Sequence, residues 1–183
     1  ARPLQPWLDT ALAGATIRLP PGIYQGPAVI TKPLTLEGDG KVIIDAGGQG
    51  TVLTVKADRV TLRGLTLRGS GDSHDALDGG VMAEGTKLLI EHNVIEDVLF
   101  GISLHKVTDS IIRANHIRSR AVDSADRGDG LRFWYSTGNR IEDNDIAQMR
   151  GVTVSNSTHN RFTGNTIRDS RRAFNFLFAH RTL

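Results

Sequence analysis

Apolar residues recur along this chain in short alternating stretches, never in long runs. One set comprises Val60-Thr61-Leu62, Leu88-Leu89-Ile90, Ser110-Ile111-Ile112, Arg140-Ile141 and Arg161-Phe162. A second set follows an asparagine, in Asn93-Val94-Ile95, Asn115-His116-Ile117, Asn144-Asp145-Ile146 and Asn165-Thr166-Ile167. A third opens after Gly80, Gly101, Gly130 and Gly151, with Ala173 in the equivalent place. The four asparagines are 22, 29 and 21 residues apart, and Gly64-Leu65-Thr66-Leu67 begins 29 residues before the first. The underlying period is therefore 21–22 residues, with two steps carrying about seven more. Three strands in so short a repeat leave no room for a helix between strands. The Asn spacing also differs from that of leucine-rich repeats. The pattern predicts an all-β, single-stranded parallel β-helix of about seven coils, each coil stacked about 4.8 Å on the next. Asparagines aligned at one bend would hydrogen-bond along the stack and tolerate a left-handed backbone there.

The whole chain, residues 1–183, reads as one such domain. Leu4, Leu8 and Leu12 fall at helical spacing, so residues 1–14 are expected to form a short helix capping the first coil, as solenoids require. At the other end Phe174, Phe176 and Phe178 read as core residues of an unfinished coil. Such an open apolar end suits a longer protein, or a dimer formed by stacking on a second chain.

The two longer steps place insertions at the same bend, residues 69–79 and 119–129. One coil lies between them, so the loops should project about 10 Å apart and wall a cleft. Insertions on one face of a solenoid commonly mark its binding face. On the strand after that bend, alternation turns Val81, Ile102, Leu131, Val152 and Phe174 inward. Met82, Ser103, Arg132, Thr153 and Asn175 face out, followed by Glu84, His105, Trp134, Ser155 and Leu177. The other asparagines, including Asn139 and Asn160, read as structural.

Composition narrows the chemistry. With no cysteine, thiolate metal sites and thiol catalysis are excluded. No apolar run is long enough to span a membrane. The first residues carry no basic segment followed by an apolar one, which fits a cytoplasmic chain or a processed mature one. The net charge of +2 gives no sign of a nucleic-acid partner. It is unevenly spread: residues 1–110 hold 10 basic and 13 acidic side chains, residues 111–183 hold 12 arginines and 7 acids. The last third can face an anionic partner.

Three readings of the cleft follow. The first is a metal site at His74 with Asp72 or Asp75, helped by His105 and Met82; imidazole and thioether suit copper, carboxylates harder ions. The second is sugar chemistry, with Trp134 stacking on a ring, Arg132 neutralising a uronate and Asp129 or His105 as acid or base, the work of a polysaccharide lyase or epimerase. The third is a scaffold whose cleft, bordered by Glu84, Asp129, Arg132, Trp134 and Tyr135, holds a partner.

The stretches Gly69–Asp75, Asp78–Gly80, Glu96–Ile102, Arg127–Ser136 and Phe178–Arg181 resemble the NosD family, over nearly the whole chain. The resemblance implies a right-handed, pectate-lyase-like β-helix exported to the periplasm, and an accessory role rather than an enzyme's. Members of that family help mature the copper centre of nitrous oxide reductase. They work with an ABC-type ATPase and membrane subunit and with a copper chaperone lipoprotein. The resemblance makes copper the expected cargo and carries Asp72, His74 and Asp75 over as matching the family's loop.

Overall fold

The computed structural model describes residues 1–120 and 123–177. The expectations for Phe178 and for the Phe178–Arg181 stretch lie outside the described residues. The chain winds as a parallel β-helix. One flank is a seven-stranded parallel sheet; the other two merge into a thirteen-stranded sheet, because Thr35–Asp45 and Thr61–Arg68 run round a corner.

Each flank turns rows of apolar residues inward, and the seven-stranded sheet carries a second buried row, Ile30, Val55, Ala83, Leu104, Phe133 and Val154. Its first row is Ala28, Leu53, Val81, Ile102, Leu131 and Val152, paired coil to coil in register. Phe174 continues the register, but it and Phe176, expected in the core, are exposed at 38% and 47% because no described coil covers them. The row of the second flank runs Ile17, Leu36, Leu62, Ile90, Ile112, Ile141 and Phe162. That of the third runs Ile44, Leu67, Ile95, Ile117, Ile146 and Ile167. A few mostly β-branched or leucine side chains per coil fill a narrow interior with no room for a helix, which is why the repeat is so short. Gly101 marks how narrow it is: an added Cβ would meet the Gly130 carbonyl oxygen at 2.2 Å and the Ile117 side chain at 2.6 Å.

The bends are held by side chains. Asn93 Nδ2 donates to Asn115 Oδ1, Asn115 Nδ2 to Asn144 Oδ1, and Asn144 Nδ2 to Asn165 Oδ1, at 3.1, 3.0 and 2.9 Å. Each also donates to a main-chain carbonyl in the previous coil, as Asn115 does to Ile90. A second ladder links Asn139 to Asn160. The left-handed backbone falls on the residue before each asparagine: His92, Ala114, Asp143 and Gly164 all have positive φ. Asparagine therefore serves here as a hydrogen-bonding rung, and its tolerance of that backbone is not what the bend uses.

On the outer surface of the second flank, charge alternates for six coils: Arg18, Glu37, Arg63, Glu91, Arg113 and Glu142 stand in register. Ion pairs join Arg18 to Glu37, Arg63 to both Glu37 and Glu91, and Arg113 to Glu91 at 2.8 Å. The hydrophobic period gives no hint of this ladder.

The first coil is covered by the helix Gln5–Thr10, with Leu4 and Leu8 buried beneath it. Leu12, which the helical spacing placed on the same face, lies past the helix end and is 81% exposed. Gln5 occupies the free edge of the first strand, bonding both the amide and the carbonyl of Val29. Lys32 binds the carbonyls of Asp9 and Ala11 at the helix C-terminus.

Candidate functional site

The outer surface of the seven-stranded sheet brings together most of the expected cleft. Pairing between Phe100–Thr108, Leu131–Trp134 and Val152–Ser155 sets Ser103 beside Arg132 and Thr153, and His105 beside Trp134 and Ser155. Arg132 Nη1 lies 3.4 Å from His105 Nε2. The His105 ring is 5.5 Å from Trp134, and Tyr135 meets Trp134 edge-on at 4.7 Å. Lys106 Nζ reaches over the indole at 5.9 Å. Burial holds the His105 pKa below its ordinary value, the Arg132 charge adds to this, and Glu84 opposes it. The imidazole is thus neutral at pH 7, and its Nε2 lone pair can accept the Arg132 N–H, leaving the proton on Nδ1.

Met82 stands one diagonal step from His105 on the same face, since its partner in register is Ser103. Ser103 is 1% exposed, and its hydroxyl has no hydrogen-bond partner among the described residues. Asp129 sits at the bend before Leu131–Trp134 and is buried. Both of its oxygens are taken by Arg150, through Nε at 3.0 Å and Nη2 at 3.1 Å. Asp129 thus has no free oxygen to serve as acid or base beside His105. Beside this pair opens a cleft of about 420 Å³ bordered by Arg132, Arg150, Arg171 and Arg172, with Thr153, Asn175 and Leu177.

The inserted loops lie elsewhere than expected. Among the described residues they close on each other across the tight turn at Leu99, and only Asp129, at the end of the second, borders the sheet cleft. Arg120, at the base of the second loop, donates to Asp72, to the Ser70 carbonyl at 2.7 Å and to the Ser70 hydroxyl at 2.9 Å. Asp72, His74, Leu99, Arg120 and Asp126 border a hollow of about 350 Å³ there. The His74 ring packs edge-on against Phe100 at 5.8 Å, and Asp75 is exposed. His105 lies five positions beyond Phe100 on that strand, roughly 16 Å further along at about 3.3 Å per residue.

The five residues expected to act together at a metal are therefore divided. His74, Asp72 and Asp75 belong to the loop; His105 and Met82 belong to the sheet. Among the described residues no three His, Asp or Glu side chains converge as a metal cage would require. Reading the sequence missed Arg120, Arg150, Arg171 and Arg172. Their signal was the excess of arginine in the last third, but only the coil register shows which of them share a cleft.

Stacked three-flank coils define a parallel β-solenoid, here with a polar cleft on one sheet. The chain belongs to the right-handed β-helix family, matching its right-handed β-helix region over residues 42–180. Within that family it is NosD-like. It is 31% identical over 136 residues to a Stutzerimonas stutzeri protein named "Probable ABC transporter binding protein NosD", and 27% identical over 132 residues to a protein of the same name from Pseudomonas aeruginosa. These matches cover 73% and 70% of this chain but 31% of each relative, so the chain spans about a third of their length. The fold is shared with an alginate lyase from Paenibacillus sp. str. FPU-7, at a TM-score of 0.63 and 23% identity over 89% of this chain and 65% of that one. No helix among the described residues is long and apolar enough to cross a membrane.

Proposed function

We propose that the chain acts as an accessory copper-handling unit. It works in the periplasm beside an ABC-type ATPase and membrane subunit, takes copper from a chaperone lipoprotein and passes it toward the copper centre of nitrous oxide reductase. The observation that carries this reading is the likeness to the two NosD proteins named for ABC transporter binding. The cleft is compatible with it. A neutral imidazole at His105, whose Nε2 copper would take over from Arg132, and a thioether at Met82 offer one nitrogen and one sulfur donor on the same surface, a pair suited to copper. Two donors without a closed cage suit a cargo that must leave again.

The test is calorimetric titration of the metal-free chain with Cu(I) under reducing conditions, comparing His105→Ala, Met82→Ala and His74→Ala. The expected result is one-to-one binding that is lost in the first two variants and kept in the third. Binding equal in all four proteins would place copper elsewhere. Loss in His74→Ala alone would move the site to the loop hollow.

A further inference from the structure

The arginine-lined hollow beside this surface supplies no donor to the copper reading, and it gathers four guanidinium groups. Elsewhere on the coils many arginines stand against acids. Arg18, Arg63 and Arg113 alternate with Glu37 and Glu91, Arg68 pairs with Asp45, and Arg168 pairs with Asp145. In the cleft beside Asp129 four arginines gather around a single acid. Asp129 neutralises Arg150 alone. Arg132, Arg171 and Arg172 border the same 420 Å³ space, and none is ion-paired to a carboxylate among the described residues.

The placement is built rather than scattered. Arg172 lies one coil beyond Arg150, its amide donating to the Arg150 carbonyl at 2.9 Å, so two guanidinium stems rise from neighbouring coils about 4.8 Å apart. Arg132 is half-buried on the sheet floor and held against the neutral His105 ring. Gathering like charges in a concave site is unfavourable until an anion enters, and the concavity strengthens its attraction. Guanidinium groups bind oxyanions in paired hydrogen bonds. Thr153 and Asn175 add neutral polar groups to the wall. The four guanidinium groups converge on one hollow of about 420 Å³, a size that suits a compact ligand.

We infer that this cleft binds a compact polyanion, a small molecule carrying two or more carboxylate, phosphate or sulfate groups, with Arg132, Arg171 and Arg172 as its principal contacts. The inference does not rest on copper binding, and it is tested on metal-free protein. Tripolyphosphate and citrate are titrated separately at low salt by calorimetry, with sodium chloride as the single-charge control. Arg132→Gln/Arg172→Gln is compared with Arg140→Gln, which alters an exposed arginine paired to Glu142 on another flank. Thermal melts confirm that both variants fold. The expected result is saturable one-to-one binding of at least one probe, weakened about tenfold or more in the double variant and unchanged in Arg140→Gln. The probe that binds distinguishes a carboxylate ligand from a phosphate one. Binding of neither probe, or equal loss in both variants, overturns the inference.

Discussion

At the scale of single residues, the buried amide of Asn115 carries more of the architecture than its size suggests. Its oxygen accepts from the Asn93 amide and side chain, and its nitrogen donates to Ile90 and Asn144. Removing the side chain leaves several buried donors and acceptors unmatched, each costing on the order of 1–3 kcal/mol before the structure relaxes. Asn115→Ala is therefore expected to lower stability by about 2–4 kcal/mol in urea unfolding. The same change at Asn165, half-exposed near the end of the ladder, should cost clearly less. Equal losses at the two positions would show that the ladder is not cooperative along its length. The asparagines were legible in the sequence because a bend that repeats every coil repeats its residue. The left-handed position before them was not, because His92, Ala114, Asp143 and Gly164 share no chemistry.

At the scale of elements, the strands announced themselves and the loops did not. Inward rows follow from alternation alone, so the facing of Val81, Ile102, Leu131 and Val152 could be read directly. Where an insertion folds depends on a few polar contacts between distant residues, here Arg120 reaching back to Ser70 and Asp72. No periodicity encodes a contact across 48 or 50 residues. The same contact explains why His74 and His105 were expected in one site and lie apart. Arg120→Ala should uncouple the loops and weaken the bond from the Leu99 amide to the Ser70 hydroxyl. We expect a stability loss of about 1–2 kcal/mol and faster hydrogen exchange at the Leu99 amide. Unchanged exchange there would mean that the first loop holds its shape without Arg120. The arginine cleft was half legible: its charge was visible in the composition, its location only in the register of Arg150 and Arg172.

At the scale of the whole molecule, acid should unfold the β-helix in two windows, and the sign of each follows from the groups involved. His105 is held below its ordinary 6.5 by burial first and Arg132 second, with Glu84 opposing and Lys106 standing over the neighbouring indole. The unfolded chain therefore takes up a proton at His105 before the folded chain does. Stability should begin to fall as pH drops below about 6.5, until the folded value is reached. Asp45 and Asp145 behave in the opposite sense. Asp45 is lowered chiefly by the Gly47 amide and also by Arg68; Asp145 is lowered chiefly by Arg168 and also by His116. Their contribution is present above the ordinary carboxylate value of 3.8 and is lost as pH falls through their lower folded values. Both carboxylates are partly exposed, so their share is reduced by solvent screening. Urea midpoints measured from pH 7 to pH 3 should decline gently at first and again near the carboxylate range. His105→Gln should flatten the upper decline without touching the lower one. Asp45→Asn/Asp145→Asn should do the reverse. A His105→Gln profile parallel to that of the parent chain would mean that the upper window belongs to other groups, and that the Arg132–His105 contact is not set by a neutral imidazole.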